Sequence, residues 1–221
     1  MTSPSFPAAV LWDMDGTIID TEPYWMAEET SLVEEAGGTW SHEQGLELIG
    51  SDLNRSAAVL LATTPLTGSP ETIVDTLLNR VIKRVQTRMP WRPGARELIA
   101  ELREAGVPMA LVTMSWQPLA TVLVEAFDEG TFDIVVTGDQ VGAGKPDPEP
   151  YLLAAQRLGV QAHECVAIED SPTGARSAIA SGAATLVVAH MVEVDPSVGG
   201  TRVSTLEGLD LDGLRGLFNG D

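Results

Sequence analysis

The sequence predicts an α/β protein, with a Rossmann-like parallel sheet core and an inserted α-helical bundle that forms a cap domain. Three observations predict it. A short apolar run, residues 8–12, stops at Asp13-Met14-Asp15-Gly16, as a buried strand does where it reaches a crevice. Four helical patterns follow with no strand between them. From Met89 onward, strands alternate with helices, the pattern of a parallel sheet covered on both faces. Residues 1–19 and 90–221 are thereby assigned to the α/β core, and residues 20–89 to the helical cap.

Residues 1–7 are expected to form a frayed tail. The first strand is brief and apolar, so its C-terminal end should deliver Asp13 and Asp15 to the place where α/β ligands bind. Thr21 ahead of Pro23 marks a helix start, with Asp20 as its capping residue. Trp25, Leu32, Val33 and Ala36 recur at helical spacing until Gly37-Gly38 stops the run. Ser41-His42-Glu43-Gln44 has the form of a capping box, opening a short helix that closes at Gly50. A third helix covers residues 52–63. Ser69-Pro70-Glu71 starts a fourth, with Ile73, Leu77, Val81 and Val85 on one apolar face. Pro90, Pro93 and Gly94 mark the return to the core. Helices are expected there over 95–105, 117–127, 150–158 and 173–181, and strands over 108–113, 134–137, 165–169 and 184–188. A short strand near Val203 precedes a last helix over 206–218.

A chain of 221 residues with 44% hydrophobic content can bury a sizeable core. No apolar run reaches the roughly 18 residues that a spanning helix needs, and the first residues lack a basic, then apolar, signal segment. A cytoplasmic monomer is the expectation. The single Cys165 lies in an apolar stretch and reads as a buried, inert thiol. A net charge of −19 argues against nucleic acid and anionic membranes as partners. It leaves room for a small phosphorylated substrate if a cation reverses the field locally. With only two lysines in the chain, Lys83 and Lys145, their placement carries information.

Four segments stand in order at the ends of expected strands: Asp13-Met14-Asp15-Gly16-Thr17, Leu111-Val112-Thr113, Gly144-Lys145-Pro146-Asp147 and Ile168-Glu169-Asp170-Ser171-Pro172. Together they resemble the haloacid dehalogenase superfamily of phosphohydrolases, over nearly the whole chain. With a helical insert between the first and second segments, the sequence is similar to the subgroup of β-phosphoglucomutase and the small sugar-phosphate phosphatases.

The chemistry also follows from the residues. A phosphate monoester repels nucleophiles, so its hydrolysis needs a cation over the phosphoryl group and an attacking group in line. Asp13 is the candidate nucleophile. Asp15, two residues on, can protonate the leaving alkoxide and later take a proton from water, a role that requires a raised pKa. The candidate metal ligands are all oxygen: Asp13, Asp170 and the carbonyl of Asp15, with Glu169 in the outer shell holding a water. No pair of Cys or His has ligand spacing, so Mg²⁺ is the expected cofactor and Zn²⁺ is not. The resemblance implies the same roles. The Thr113 hydroxyl and the Met114 amide can donate to a phosphoryl oxygen, Ser115 joins them as a substrate contact, and Lys145 neutralises the phosphoenzyme and tethers Asp13. Gly142 and Gly144 let the lysine loop come close.

Other features of the chain admit blander readings. A calcium loop would need Gly and an acid where this chain has Ile18 and Tyr24. His42, His163 and His190 are scattered and read as structural or solvated. In the cap, Arg55 is a candidate substrate contact, although the Arg of β-phosphoglucomutases stands three residues after the Gly, where this chain has Leu53. Those mutases carry a His where this chain has Trp25, which favours transfer to water and makes Trp25 a candidate contact. The sequence reading is thus a Mg²⁺-dependent phosphatase of small sugar or polyol phosphates. A phosphosugar mutase and a catalytically silent phosphoryl-binding module are the alternatives.

Overall fold

The computed structural model describes residues 6–218, and its centre is a six-stranded parallel sheet. The strands are β1 (Ala9–Trp12), β2 (Met109–Val112), β3 (Ile134–Val136), β4 (Cys165–Glu169), β5 (Ala184–Val188) and β6 (Thr201–Val203), in the order β3-β2-β1-β4-β5-β6. All pairings are parallel, with Trp12 beside both Leu111 and Ile168. The order reverses at β1 and β4, so the crevice of a doubly wound sheet opens over the ends of those two strands. β1, β2 and β4 are buried at every position because helices cover both faces, which is why their sequences are continuous apolar runs.

The pleat sends alternate residues to opposite faces. Val10 and Trp12 join one apolar cluster with Leu111 and Ile168, whereas Ala9 and Leu11 join another with Ala110 and Val112. The second cluster packs on α7 (Glu149–Leu158) and α8 (Pro172–Ala180), through Tyr151, Ala154 and Ala178. The first packs on α5 (Ala95–Glu104), α6 (Gln117–Val124) and α9 (Leu211–Phe218), and runs on without a break into the helices inserted between β1 and α5.

Those helices are α1 (Glu22–Glu35), α2 (His42–Leu46), α3 (Leu53–Thr63) and α4 (Pro70–Thr87). On α4, Ile73, Leu77, Val81 and Val85 are all buried. Both halves of the capping box at Ser41 and Gln44 are made, but α2 stops at Leu46 and the chain reaches Gly50 through turns. The two passages between sheet and insert run side by side. The Asp20 amide donates to the Pro90 carbonyl at 2.8 Å and the Arg92 amide to the Ile18 carbonyl at 2.9 Å, around an antiparallel bridge between Ile19 and Trp91.

Several expectations are corrected. Of the expected tail, residues 1–5 lie outside the described residues, but Pro7 is buried and the Phe6 carbonyl accepts from Arg215 Nε at 3.0 Å. Phe6 also meets the Phe218 ring edge-on, so residues 6 and 7 are docked, held by an aromatic partner. The last helix begins at Leu211, not 206. Gly208 turns the chain at φ +76°, and the Asp210 carboxylate accepts the Gly213 amide at 2.6 Å, starting the helix afresh. Asp20 does not cap α1: Thr21 is the N-cap residue and makes no side-chain capping bond. Ala36 is exposed beyond the helix end, and α6 ends at Val124. Cys165 is fully buried, and burial pushes its thiol up to about 11. Among the described residues no helix is long and apolar enough to cross a membrane.

Candidate active site

The strand ends bring four of the sequence candidates together. Asp13 follows β1 directly, and its amide donates to the Ile168 carbonyl of β4 at 3.0 Å, fixing the two strand ends against each other. Glu169 ends β4 and Asp170 follows it. Carboxylate oxygens of Asp13, Glu169 and Asp170 all lie within 4.8 Å of one another, and all three residues are buried. Lys145 reaches in from the loop before α7. Its Nζ donates to Asp13 Oδ1 and Glu169 Oε1, each at 2.6 Å, and to the Val112 carbonyl at 2.9 Å.

Glu169 has no oxygen to spare. Oε1 accepts from Lys145 and from the Tyr151 hydroxyl at 3.0 Å, while Oε2 accepts from the Asp170 and Ser171 amides and the Ser171 hydroxyl. Such saturation makes Glu169 an organiser of the centre. Asp13 differs, because its Oδ2 is buried without a hydrogen-bond partner. One oxygen of Asp170 is held by the Thr17 hydroxyl at 3.3 Å.

Two glycines make the approach possible. Gly16 has φ +89°, and a Cβ there would lie 2.1 Å from Asp170 Oδ2; a Cβ on Gly174 would lie 1.7 Å from Glu169 Oε1. The expectation for Gly142 and Gly144 is weaker in the structure. A Cβ at Gly142 would make ordinary contact with Glu149, and one at Gly144 would press only on the flexible Met114 sulfur at 2.9 Å.

The electrostatics follow from this crowding. Burial, with Glu169 and Asp15 adding to it, pushes the Asp13 carboxyl up to about 8 in spite of Lys145. Burial, with Asp13, Glu169 and Glu22 adding to it, also raises Asp170 well above the usual carboxylate range. On Lys145 burial opposes the charge, but the Asp13 and Glu169 carboxylates outweigh it and hold the ammonium above its ordinary pKa. Three buried carboxylates facing one ammonium form a centre short of positive charge.

Asp15 is half-buried and receives three hydroxyls: Thr21 Oγ1 at 2.5 Å, Ser115 Oγ at 2.8 Å and Thr113 Oγ1 at 3.0 Å. Thr113 thus donates to Asp15 here. Its oxygen also accepts the Ser115 amide at 3.0 Å, and the Met114 sulfur accepts the Lys145 amide at 3.2 Å.

A cavity opens above these groups, closed on its far side by the inserted helices. Asp13, Asp15, Met114, Ser115, Lys145 and Ser171 line its floor, and Trp25 stands in its roof. Arg55 is not there. It is exposed, in a neighbouring cleft with Asn54, Gly138 and Gly142, because it follows the Asp52 cap and Leu53 takes the position facing the cavity. Glu22 and Glu29, which the sequence reading passed over, line the roof instead. The available signal was their spacing, since Glu22, Trp25, Met26 and Glu29 stand at i, i+3, i+4 and i+7. Thr21 and Tyr151 were missed as well, and neither carried a local sign of its partner. His190 is structural: its Nε2 lies 3.0 Å from Asp20 Oδ1, without hydrogen-bond alignment, and burial, with Arg92 nearby, lowers its pKa.

Burial pushes Glu29 from 4.5 up to about 7, although the Trp40 indole donates to it at 3.2 Å. Between those pH values the folded protein binds more protons than the unfolded chain, so stability falls as pH rises and levels off above 7. Glu29→Gln removes that titration. It should melt like the parent near pH 5 and be more stable near pH 8, by on the order of 3 kcal/mol. Urea midpoints at both values measure this, and parallel pH dependence of the two proteins would contradict it.

The fold and site define a doubly wound α/β enzyme with a helical roof over a buried carboxylate and lysine centre. The model of the haloacid dehalogenase-like hydrolase family matches residues 7–182, and the chain belongs to that family. It is 32% identical over 183 residues to hexitol phosphatase A of Escherichia coli K12, covering 80% of this chain and 81% of the relative. It is 30% identical over 175 residues to the phosphorylated carbohydrates phosphatase of Thermotoga maritima, covering 79% and 81%. CbbY from Rhodobacter sphaeroides, solved with phosphate, superposes with a TM-score of 0.85 at 28% identity, over 94% of this chain and 99% of that one.

Proposed function

We propose that the chain is a Mg²⁺-dependent phosphatase of small sugar or polyol phosphates, acting through an aspartyl-phosphate on Asp13. The observation that carries this reading is the Lys145 ammonium bonded to one oxygen of Asp13 while the other, Oδ2, lies buried and unpartnered at a cavity floor. Relatives named as hexitol and carbohydrate phosphatases support the substrate class.

The donor set suits a hard divalent cation. Asp13, Asp170 and the Asp15 carbonyl would hold it, and Glu169, with both oxygens occupied, would stay in the outer shell. When bound, Mg²⁺ would offset the carboxylates and polarise the phosphoryl group. This chain's residues do the rest. Asp13 attacks phosphorus in line, and the P–O bond to the leaving alkoxide breaks as Asp15 gives that oxygen a proton. Lys145 balances charge on the phosphoenzyme. Asp15 then takes a proton from the water that hydrolyses the aspartyl-phosphate, releasing inorganic phosphate and restoring Asp13. Thr21, Thr113 and Ser115 hold Asp15 between these two tasks, and Met114 braces the Lys145 loop. The net charge of −19 weighs against nucleic acid and anionic membrane as partners, and in this reading the chain works on small molecules as a cytoplasmic monomer.

The test is phosphate release from hexitol and hexose monophosphates with Mg²⁺, with and without a chelator. Metal-dependent release is expected. Isomer conversion without net release would favour a mutase, and no turnover of even an aryl phosphate would favour a silent binding module.

A further inference from the structure

The roof of the cavity has a charge pattern that its floor does not explain. Helix α1 carries several buried acids, and they are treated in two ways. Glu28, turned toward α4, is paired with Arg84 and lies 3.7 Å from Arg80. Glu22 and Glu29 line the cavity, and neither faces a guanidinium. Glu22 is only 6% exposed, and among the described residues its carboxylate takes part in no hydrogen bond or ion pair. Glu29 has the Trp40 indole on one oxygen and leaves the other open. Among the described residues Lys145 is the only basic side chain lining the cavity, and it is committed to the floor. The remaining roof is mostly apolar, with Trp25, Leu53 and Leu77 against the space.

A buried carboxyl with no donor is costly unless a ligand brings one. With the phosphoryl group over Asp13, the leaving group must extend toward Glu22 and Glu29. A second phosphate or a carboxylate there would be buried beside two acids with no cation to pair with it, a charge left uncompensated. A neutral chain bearing hydroxyls brings O–H donors to the two carboxyls and C–H faces to Trp25 and Leu77. Resting on the phosphatase reading, we propose that Glu22 and Glu29 read hydroxyl groups of a neutral polyol leaving group and reject esters whose leaving group carries a second anion.

The experiment compares kcat/KM of the purified protein, with Mg²⁺, for a hexitol monophosphate, phosphoglycolate, a hexose bisphosphate, an amino-sugar monophosphate and an aryl phosphate. The hexitol ester should exceed the two doubly anionic esters by about a hundredfold or more. Glu22→Leu should lower the ratio of hexitol to aryl phosphate efficiency by about tenfold, mainly through KM, and Glu22→Gln should recover much of it because an amide still accepts. Should Glu22→Leu fail to fold, Glu22→Gln and the parent's own panel still decide. Parity or preference for the doubly anionic esters would overturn the proposal while sparing the phosphatase reading. So would a marked preference for the amino-sugar ester, which would make the two acids a cation site, or a Glu22→Leu loss shared equally by hexitol and aryl phosphates. If no ester is hydrolysed, aryl phosphate included, the phosphatase reading itself falls and takes this inference with it.

Discussion

Asp13→Asn should lower kcat by about four orders of magnitude or more while leaving the fold intact, because an amide cannot attack phosphorus and form the acyl phosphate. The substitution is close to isosteric. Its carbonyl oxygen can still accept from Lys145, which donates to Asp13 Oδ1 at 2.6 Å in the parent. It also removes a carboxyl that burial and its acidic neighbours push up to about 8, so a loss of stability is not expected. Steady-state phosphate release and a thermal melt measured on the same preparation check both halves. Retention of a tenth of parental turnover would rule out an attacking carboxylate at this position.

Lys145→Met should be the most destabilising single change at the centre. The side chain is 3% exposed, and its ammonium is the one positive group between the Asp13 and Glu169 carboxylates. Its raised pKa keeps that contribution complete through the neutral range, with loss only at strongly alkaline pH. Removing one partner of a buried ionic cluster leaves the others uncompensated, at a cost of about 3–5 kcal/mol. For a chain of this size that lowers Tm by roughly 10 °C. Millimolar Mg²⁺ should restore part of the loss, because a cation bound only by the folded state stabilises it by mass action. Lys145→Arg should not rescue activity, since a planar fork does not fit three acceptors converging on one nitrogen. A metal-free Lys145→Met protein that melts with the parent would overturn this account of the centre.

The parts of the fold that were legible in the sequence are those whose signal is local. The strand at Ala9–Trp12 is an unbroken apolar run, the capping box at Ser41 lies within four residues, and the α4 stripe repeats at helical spacing. The floor of the site was legible for another reason: strand ends in a parallel sheet converge, so acids placed directly after β1 and β4 had to meet. Partnerships across the chain left no such trace. Thr21 and Ser115 reach the two oxygens of Asp15 from segments far apart in sequence, and Asp20 turns to His190 instead of capping the helix beside it. Glu22 looked like an ordinary acid at a helix start, a position its charge suits in any protein. Only the packed neighbours reveal that it faces a cavity. Arg55 misled for the opposite reason, since its charge drew attention while the turn of α3 carried it outside.

The two chain passages that join sheet and inserted helices have a mechanical consequence. Since they are bonded to each other on both sides of the Ile19 and Trp91 bridge, they form a narrow strap instead of two independent tethers. The strap fixes where the insert leaves and rejoins the sheet, so Glu22, two residues beyond Asp20, is hung in the cavity roof from the same stretch of backbone that carries Asp13 and Asp15.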